Sequence, residues 1–488
     1  MNIRIVQKVK SLQWLQIIAT LSGSLVKFSA GLMVGWASPS LPKLSSPESV
    51  PQLTPDEGFM VGNALNIGYC VAIPIVALTA DIIGRRNGIL LCAPTILLSW
   101  FLVAYVETFE LLCLARFLGG IGTGYGKTVI SLYTSEIATP EIRGALGAAT
   151  SLMTRCGMLF IFSVGPYVSI TLMALISSTF TLLMFVTFFW MPQSPYYLLQ
   201  CGKVDEAQKS LELLRKKHNN IKEEFIKIQE SIALKKPMKE IFKKLLCVPS
   251  NRKGLIIVFV LFVIDQFSGM SAIIMYSQTI FERAGTKIPA EICSIVTLVI
   301  QILSSCLCII YVDRFGRRPM LIVSGLGMAF TLATLSVYFY LDFLNYDLSA
   351  LTVIPLMSLV FYHMFFMIGI GSLPFIIQSE LFPTDVKALA ISLGGLLLAV
   401  STVIVTKIFQ VLTSYDESAA FGFFSICTFL GVIFITCFVP ETKGLSLEDI
   451  QKMLCSDNDD VDSKKVKDIE PEEKDQKDQK QIVEVIKY

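Results

Sequence analysis

Asp81-Ile82-Ile83-Gly84-Arg85-Arg86 and Asp313-Arg314-Phe315-Gly316-Arg317-Arg318 are two copies of one pattern, D-x-x-G-R-R, set 232 residues apart in a chain of 488. Each copy is wedged between two long apolar segments. A lone Gly-Arg-Arg there is ordinary, because cationic residues gather on one side of a membrane. Two copies with the Asp at the same spacing, nearly half a chain apart, point instead to an internally duplicated membrane protein, an arrangement common in transporters.

Working outward, two further pairs keep the same order. Ser135-Glu136-Ile137-Ala138-Thr139-Pro140-Glu141-Ile142-Arg143 parallels Ser379-Glu380-Leu381-Phe382-Pro383-Thr384-Asp385-Val386-Lys387, and Pro192-Gln193-Ser194-Pro195 parallels Pro440-Glu441-Thr442-Lys443, with offsets of 244 and 248 residues. Three matched pairs in register predict two halves of one fold, with a substrate site at their interface near the bilayer midplane.

The rest of the chain agrees. It is 53% hydrophobic and 16% charged, with a mean hydropathy of +0.63, whereas a soluble protein carries about 25% charge. Windows apolar enough to span a bilayer number twelve, six between residues 14 and 190 and six between 254 and 439. The predicted fold is an all-α membrane protein of twelve transmembrane helices in two pseudo-symmetric six-helix halves, 1–190 and 254–440. A linker at 191–253 reads as short amphipathic helices at the membrane face. The tail, 441–488, is expected to be disordered from about 456, where apolar surface is too scarce to fold. The first apolar stretch reads as a retained span rather than a removed leader.

Charge sets the expected orientation. Arg4, Lys8 and Lys10 precede span one, Arg85 and Arg86 follow span two, and the linker is rich in Lys and Arg, while Glu48, Asp56, Glu107, Asp342 and Asp416 occupy the opposite loops. Both termini and the linker are therefore expected in the cytosol of a multi-pass plasma-membrane protein. Of twelve cysteines, nine lie in or beside apolar spans and none forms C-x-x-C, so they read as packing residues. No nucleophile, base and oxyanion donor assemble, and no metal-ligand spacing occurs, which argues against an enzyme. The expected partners are the bilayer and a small solute; no metal, cofactor or nucleic acid is expected.

These residues resemble the sugar porter branch of the major facilitator superfamily. The resemblance runs from about 14 to 454 and rests on both D-x-x-G-R-R copies, Glu136 with Arg143, Pro192-Gln193-Ser194-Pro195, Gln266-Phe267-Ser268-Gly269 and Pro440-Glu441-Thr442-Lys443-Gly444. Val34-Gly35-Trp36-Ala37-Ser38-Pro39-Ser40-Leu41-Pro42-Lys43 and Val405-Thr406-Lys407 look like the insect facilitated trehalose transporter group. The resemblance implies facilitated movement of a sugar, trehalose or hexose-like, by alternating access.

Arginines at helix ends bind carboxylates bidentately and meet the negative ends of helix dipoles. Arg85, Arg86, Arg317 and Arg318 are thus expected to form a cytosolic gate with Asp81, Glu136, Asp313, Glu380 and Glu441, with Gly84 and Gly316 at its turns. Such pairs would hold the halves closed toward the cytosol and break when the site faces it. The resemblance implies the same latch and adds Arg116, Arg143 and Lys387. Gln193, Tyr196 and Lys387 depart from the family's Glu, Arg and Arg, which predicts a weaker latch.

A sugar site needs neutral hydrogen-bonding groups and aromatic faces. By resemblance the substrate-binding positions are Ser151, Asp265, Gln266, Ser271, Tyr276, Gln301 and Phe375, with Gln266 and Tyr276 foremost. Leu398 and Ala399 stand where the family has Asn-Trp. Ionisable residues inside spans are costly and mark function by default; here they include Lys27, Lys127, Arg155 and Asp265. Either Asp265 pairs with a nearby Lys to select a proton or an anion, or these groups form silent ion pairs or snorkel. His363 is expected to be packed and hydrogen-bonded. A non-transporting sugar sensor and a porter of a charged or non-sugar solute are the competing readings.

Overall fold

The computed structural model describes residues 14–215, 221–233, 238–445 and 447–454, apart from the side chains of Ala233, Ile309, Ile310, Asp313 and Thr384. The tail from about 456 lies outside the described residues. Span one is Trp14–Gly35, continued by Ala37–Leu44, and spans two to six are Pro55–Ile83, Arg85–Tyr105, Phe109–Ile137, Pro140–Val164 and Ile170–Phe188. In the second half, span seven is broken into Pro249–Phe267, Met270–Met275 and Ser277–Arg283, and span ten into Ile354–Ile368 and Leu373–Leu381. Spans eight, nine, eleven and twelve are Ala290–Phe315, Arg317–Phe343, Thr384–Thr413 and Glu417–Phe438.

Among the described residues, eleven of these spans are long and apolar enough to cross a membrane by composition. The twelfth, Phe109–Ile137, has the length, 29 residues, but Arg116, Lys127 and a run of glycines dilute its hydropathy. Its glycines let it press close to its neighbours. A Cβ at Gly120 would lie 2.1 Å from the Leu65 carbonyl oxygen of span two. The helices keep their backbone hydrogen bonds within each segment, as a bilayer demands.

Local signals place the helix ends. Thr54 and Glu57 form a capping box that starts span two, and Pro140 occupies the first turn of span five. Gly269, at φ 87°, makes the break in span seven; a Cβ there would also approach Phe424 within 2.9 Å.

Each half has its own apolar core, one centred on residues such as Trp100, Ile130 and Phe188, the other on Phe262, Leu332 and Phe424. Outside, Leu78, Phe330, Ile426 and Phe438 are exposed, as side chains facing hydrocarbon are. Helices at Pro195–Gln200, Val204–Arg215, Ile221–Ala233 and Met238–Cys247 fill the linker, and Leu447–Leu454 follows span twelve. They lie at the end of the bundle that carries both D-x-x-G-R-R turns, called the linker end below. The described cysteines are free thiols.

Candidate transport site and gate

The two D-x-x-G-R-R turns are bonded alike. Gly84 stands at φ 86° and ψ 160° and Gly316 at φ 88° and ψ 164°, backbone that a side chain resists. A Cβ would lie 2.5 Å from Gln193 Nε2 at Gly84 and 2.7 Å from Glu441 Oε2 at Gly316. Arg85 grips Glu136 Oε1 through Nε at 2.9 Å and Nη2 at 2.8 Å, and Asp81 through Nη1 at 2.8 Å. The Ser194 hydroxyl donates to the other Glu136 oxygen. In the second half Arg317 donates to Glu380 Oε1 at 2.9 Å and the Thr442 hydroxyl to Glu380 Oε2 at 2.6 Å.

The next layer repeats as well. The backbone N–H of Arg86 donates to Gln193 Oε1 at 2.8 Å, and those of Arg317 and Arg318 donate to the Glu441 carboxylate at 3.0 Å each. The guanidinium ends of Arg86 and Arg318 reach the carbonyl oxygens of Phe189 and Thr436. Burial alone would raise the Glu441 carboxyl, but the backbone N–H groups of Arg317, Lys443, Arg318 and Thr442 hold it below the usual glutamate range.

Two expectations about this gate need correction. The arginine–carboxylate pairs do not bridge the halves: Arg85–Glu136 joins spans three and four, and Arg317–Glu380 joins spans nine and ten. The arginine and its acid sit on helix ends that pack together within one half. Arg116 is not at the gate either. Span four runs from the far end to the linker end, so Arg116 lies about two turns from the far end; it donates to the Met33 carbonyl at 2.7 Å and stacks 4.6 Å over Trp36. Arg143 and Lys387 occupy the first turns of spans five and eleven. The side chain of Asp313 lies outside the described residues.

Two helical stripes show how the halves meet. On span five, Gly144, Gly147, Ser151 and Arg155 recur every three or four residues and share a face. Arg155 touches Met367 of span ten at 3.2 Å, Ser151 is exposed, and a Cβ at Gly147 or Gly144 would meet nothing within 4 Å. On span eleven, Gly395, Thr402, Thr406 and Gln410 share a face. Gln410 bonds Asp56 at 2.5 Å and Thr406 bonds Asn63 at 2.7 Å, both on span two, while the space beside Gly395 is open. Both stripes are closed toward the far end and open toward the linker end. The halves are therefore splayed at the linker end and sealed at the other, where the backbone N–H of Gln278 also donates to Ser38 at 3.2 Å.

The predicted substrate residues divide across this seal. Gln266 and Ser271 come together, with the Ser271 hydroxyl donating to Gln266 Oε1 at 2.7 Å. Thr402, absent from the predicted set, donates to the same oxygen at 3.0 Å. Ser271 and Thr402 line a cavity of about 90 Å³ between the halves, with Asn66 and Arg116 opposite. Asp265 is buried and accepts from Gln266 Nε2 at 2.8 Å. Among the described residues it forms no ion pair with a Lys; Lys27 donates to Thr150 and Lys127 lies over Tyr69 instead. Gln301 is buried with its side-chain oxygen unpartnered. Ser151 is exposed at the open mouth, and Phe375 is half-exposed beside Phe262, 5.2 Å between ring centres.

Tyr276 is the exception. It stacks on Phe409 at 5.4 Å and lines a separate far-end vestibule of about 640 Å³ with Asp56, Arg283 and Glu417. The seal thus separates it from the mouth that Ser151 lines. The signal that would have found Thr402 was the polar i, i+4 run Thr402, Thr406, Gln410 in an otherwise apolar helix. His363 is buried, its Nδ1 2.7 Å from the Leu359 carbonyl.

Comparisons with known proteins match this geometry. The family model described as sugar (and other) transporter matches residues 16–454. The chain is 29% identical over 448 residues to the facilitated trehalose transporter Tret1 of Culex quinquefasciatus, covering 90% of this chain and 86% of that one. It is 30% identical over 453 residues to trehalose transporter 1 of Drosophila melanogaster, covering 90% of this chain and 52% of that one; it spans about half the length of that relative. Two solved structures share the fold. A partially occluded, inward-open form of the xylose transporter XylE of E. coli gives a TM-score of 0.75 at 21% identity, over 88% of this chain and 99% of that one. An inward-open form gives 0.73 at 20% identity, over 90% and 98%. A duplicated twelve-helix bundle with a central cleft and a family match over nearly its whole length leave one assignment: the chain belongs to the sugar (and other) transporter family.

Proposed function

We propose that this chain carries a small polyhydroxylated solute, trehalose or a hexose, across the plasma membrane by alternating access, with the linker end in the cytosol. The observation that carries the reading is the pair of stripes on spans five and eleven. Each passes from sealed contact to open space along one helix face, which is what a rocking bundle shows when its site faces one side. The orientation rests on the Lys and Arg at the linker end. The similarity to trehalose transporters supports a sugar, and Gln266, Ser271 and Thr402 offer the neutral hydrogen bonds it needs.

Facilitated diffusion is the mode this arrangement favours. No carboxylate occurs in span one, and Asp265 is held by its neighbouring amide. The test is counterflow of labelled trehalose and glucose in proteoliposomes holding the full chain. Saturable exchange without a proton gradient is expected; binding without exchange would show a sensor instead.

A further inference from the structure

Between the end carboxylates of its helices, the first half carries cations and no acids. Lys27, Arg116, Lys127 and Arg155 lie at depth in spans one, four and five. Asp56, Glu57, Asp81, Glu110, Glu136 and Glu141 all fall within about two turns of a helix end. Among the described residues none of the four cations has a carboxylate within ion-pair distance. The Lys27 ammonium donates to the Thr150 hydroxyl at 3.1 Å, Lys127 lies 5.0 Å over the Tyr69 ring, and Arg155 donates to the Met367 sulfur. An uncompensated charge in a membrane interior is expensive, and several of one sign repel each other.

Their placement ties them to the cleft. Lys27 is seven residues, two full turns, from Val34, which lines the cavity between the halves. Lys127 is eleven residues, close to three full turns, from Arg116, which lines the same cavity. Both lie on the linker side of that cavity, toward the open mouth. Arg155 reaches across to span ten just above exposed Ser151. Opposite stand the neutral groups Gln266, Ser271 and Thr402. One wall is cationic; the other is hydrogen-bonding, and its buried carboxylate, Asp265, is held by Gln266.

We infer that the cleft takes an organic anion with a hydroxylated body, a sugar acid, its carboxylate drawn to Lys27, Lys127 and Arg155 and its hydroxyls to the wall formed by spans seven and eleven. A cleft lined by one sign of charge between low-dielectric walls concentrates the opposite ion. The substrate's carboxylate supplies the counter-charge that the interior of the first half lacks. This rests on the transport reading above and replaces its neutral sugar with a sugar acid.

The test uses the full chain in proteoliposomes, with labelled D-glucuronate and D-glucose measured in parallel and a membrane potential imposed in either direction. Saturable glucuronate flux that follows the potential is expected, with the glucuronate-to-glucose ratio falling about tenfold in Lys127→Gln and recovering in Lys127→Arg. Saturable glucose exchange with neither flux of glucuronate nor competition by it would overturn the sugar-acid inference and leave transport standing. If neither solute moves, transport and inference fall together. Wild-type selectivity decides each of these outcomes, so a variant that misfolds does not spare the inference.

Discussion

The turn after span two and the turn after span eight are built to one plan with a changed acceptor. Each has a glycine at φ near 87°, an arginine gripping the acid of a neighbouring span, and a hydroxyl on that acid's second oxygen. The acceptor above the arginine pair is Gln193 in the first half and Glu441 in the second. Gln193 offers one oxygen and no charge, yet Arg86 still finds it at 2.8 Å. The expectation that Gln193 weakens the latch therefore needs restating: the geometry is kept, and what is lost is the second oxygen and the charge. The first turn also buries its ion pair more deeply. The side chains of Arg85 and Glu136 are 6% and 13% exposed, against 12% and 24% for Arg317 and Glu380.

That difference in burial yields the largest expected effect. Removing one partner of a buried ion pair strands the other, at a cost of about 3–5 kcal/mol. Arg85→Ala should cost this much, because Glu136 and Asp81 both lose their cation. Arg317→Ala should cost less, since water reaches Glu380 more readily. Thermal unfolding of the two detergent-purified variants, side by side, measures the gap. Equal losses would mean that the two turns are energetically the same despite their different burial.

Much of this symmetry is legible in the sequence, and the reason is local. A glycine with positive φ and an arginine at a helix start are specified by residues adjacent in the chain, so the motif at Gly84 and Gly316 announces its own geometry. Spans announce themselves for the same reason, save Phe109–Ile137, whose glycines and cations serve packing rather than hydropathy. Relations between distant helices are not written locally. Whether Arg85 meets Glu136 within its half or an acid across the cleft depends on how the helix ends pack. The depth of Tyr276 relative to the seal, and the meeting of Thr402 with Gln266, depend on the state the bundle adopts.

The glycines come next in size. Alanine at φ near 87° costs about 1–2 kcal/mol in backbone strain alone, and the added Cβ must also displace what lies beside it. At Gly84 that means Gln193 Nε2 and the Tyr197 ring, at 2.5 and 2.6 Å; at Gly316 it means the Glu441 carboxylate at 2.7 Å. A charged acceptor bonded to the backbone N–H groups of Arg317, Arg318 and Lys443 yields less readily than a neutral amide tip. Gly316→Ala should therefore disturb its half as much as Gly84→Ala does, although its closest contact is the longer one. Both variants should lose thermal stability by comparable amounts, with transport rate falling in parallel.

Exchanging the acceptors sharpens the comparison further, with the smallest expected change. Glu441→Gln gives the second turn the chemistry of the first and should cost about 1 kcal/mol, the net worth of an ordinary hydrogen bond. The pH dependence separates this from a packing loss. Because the folded protein holds the Glu441 carboxyl below its ordinary range, its contribution is fully present above the unfolded pKa of a glutamate and is lost as pH falls through the lower, folded value. Wild type should therefore lose stability on acidification through the ordinary glutamate range and below it, and Glu441→Gln should lose less over that interval. Gln193→Glu should add the same acid sensitivity to the first turn, where Arg86 already supplies the N–H that a carboxylate would accept. If Gln193→Glu leaves the acid profile unchanged, the neutral acceptor of the first turn is not interchangeable with its charged counterpart, and the likeness of the two turns stops at their backbone.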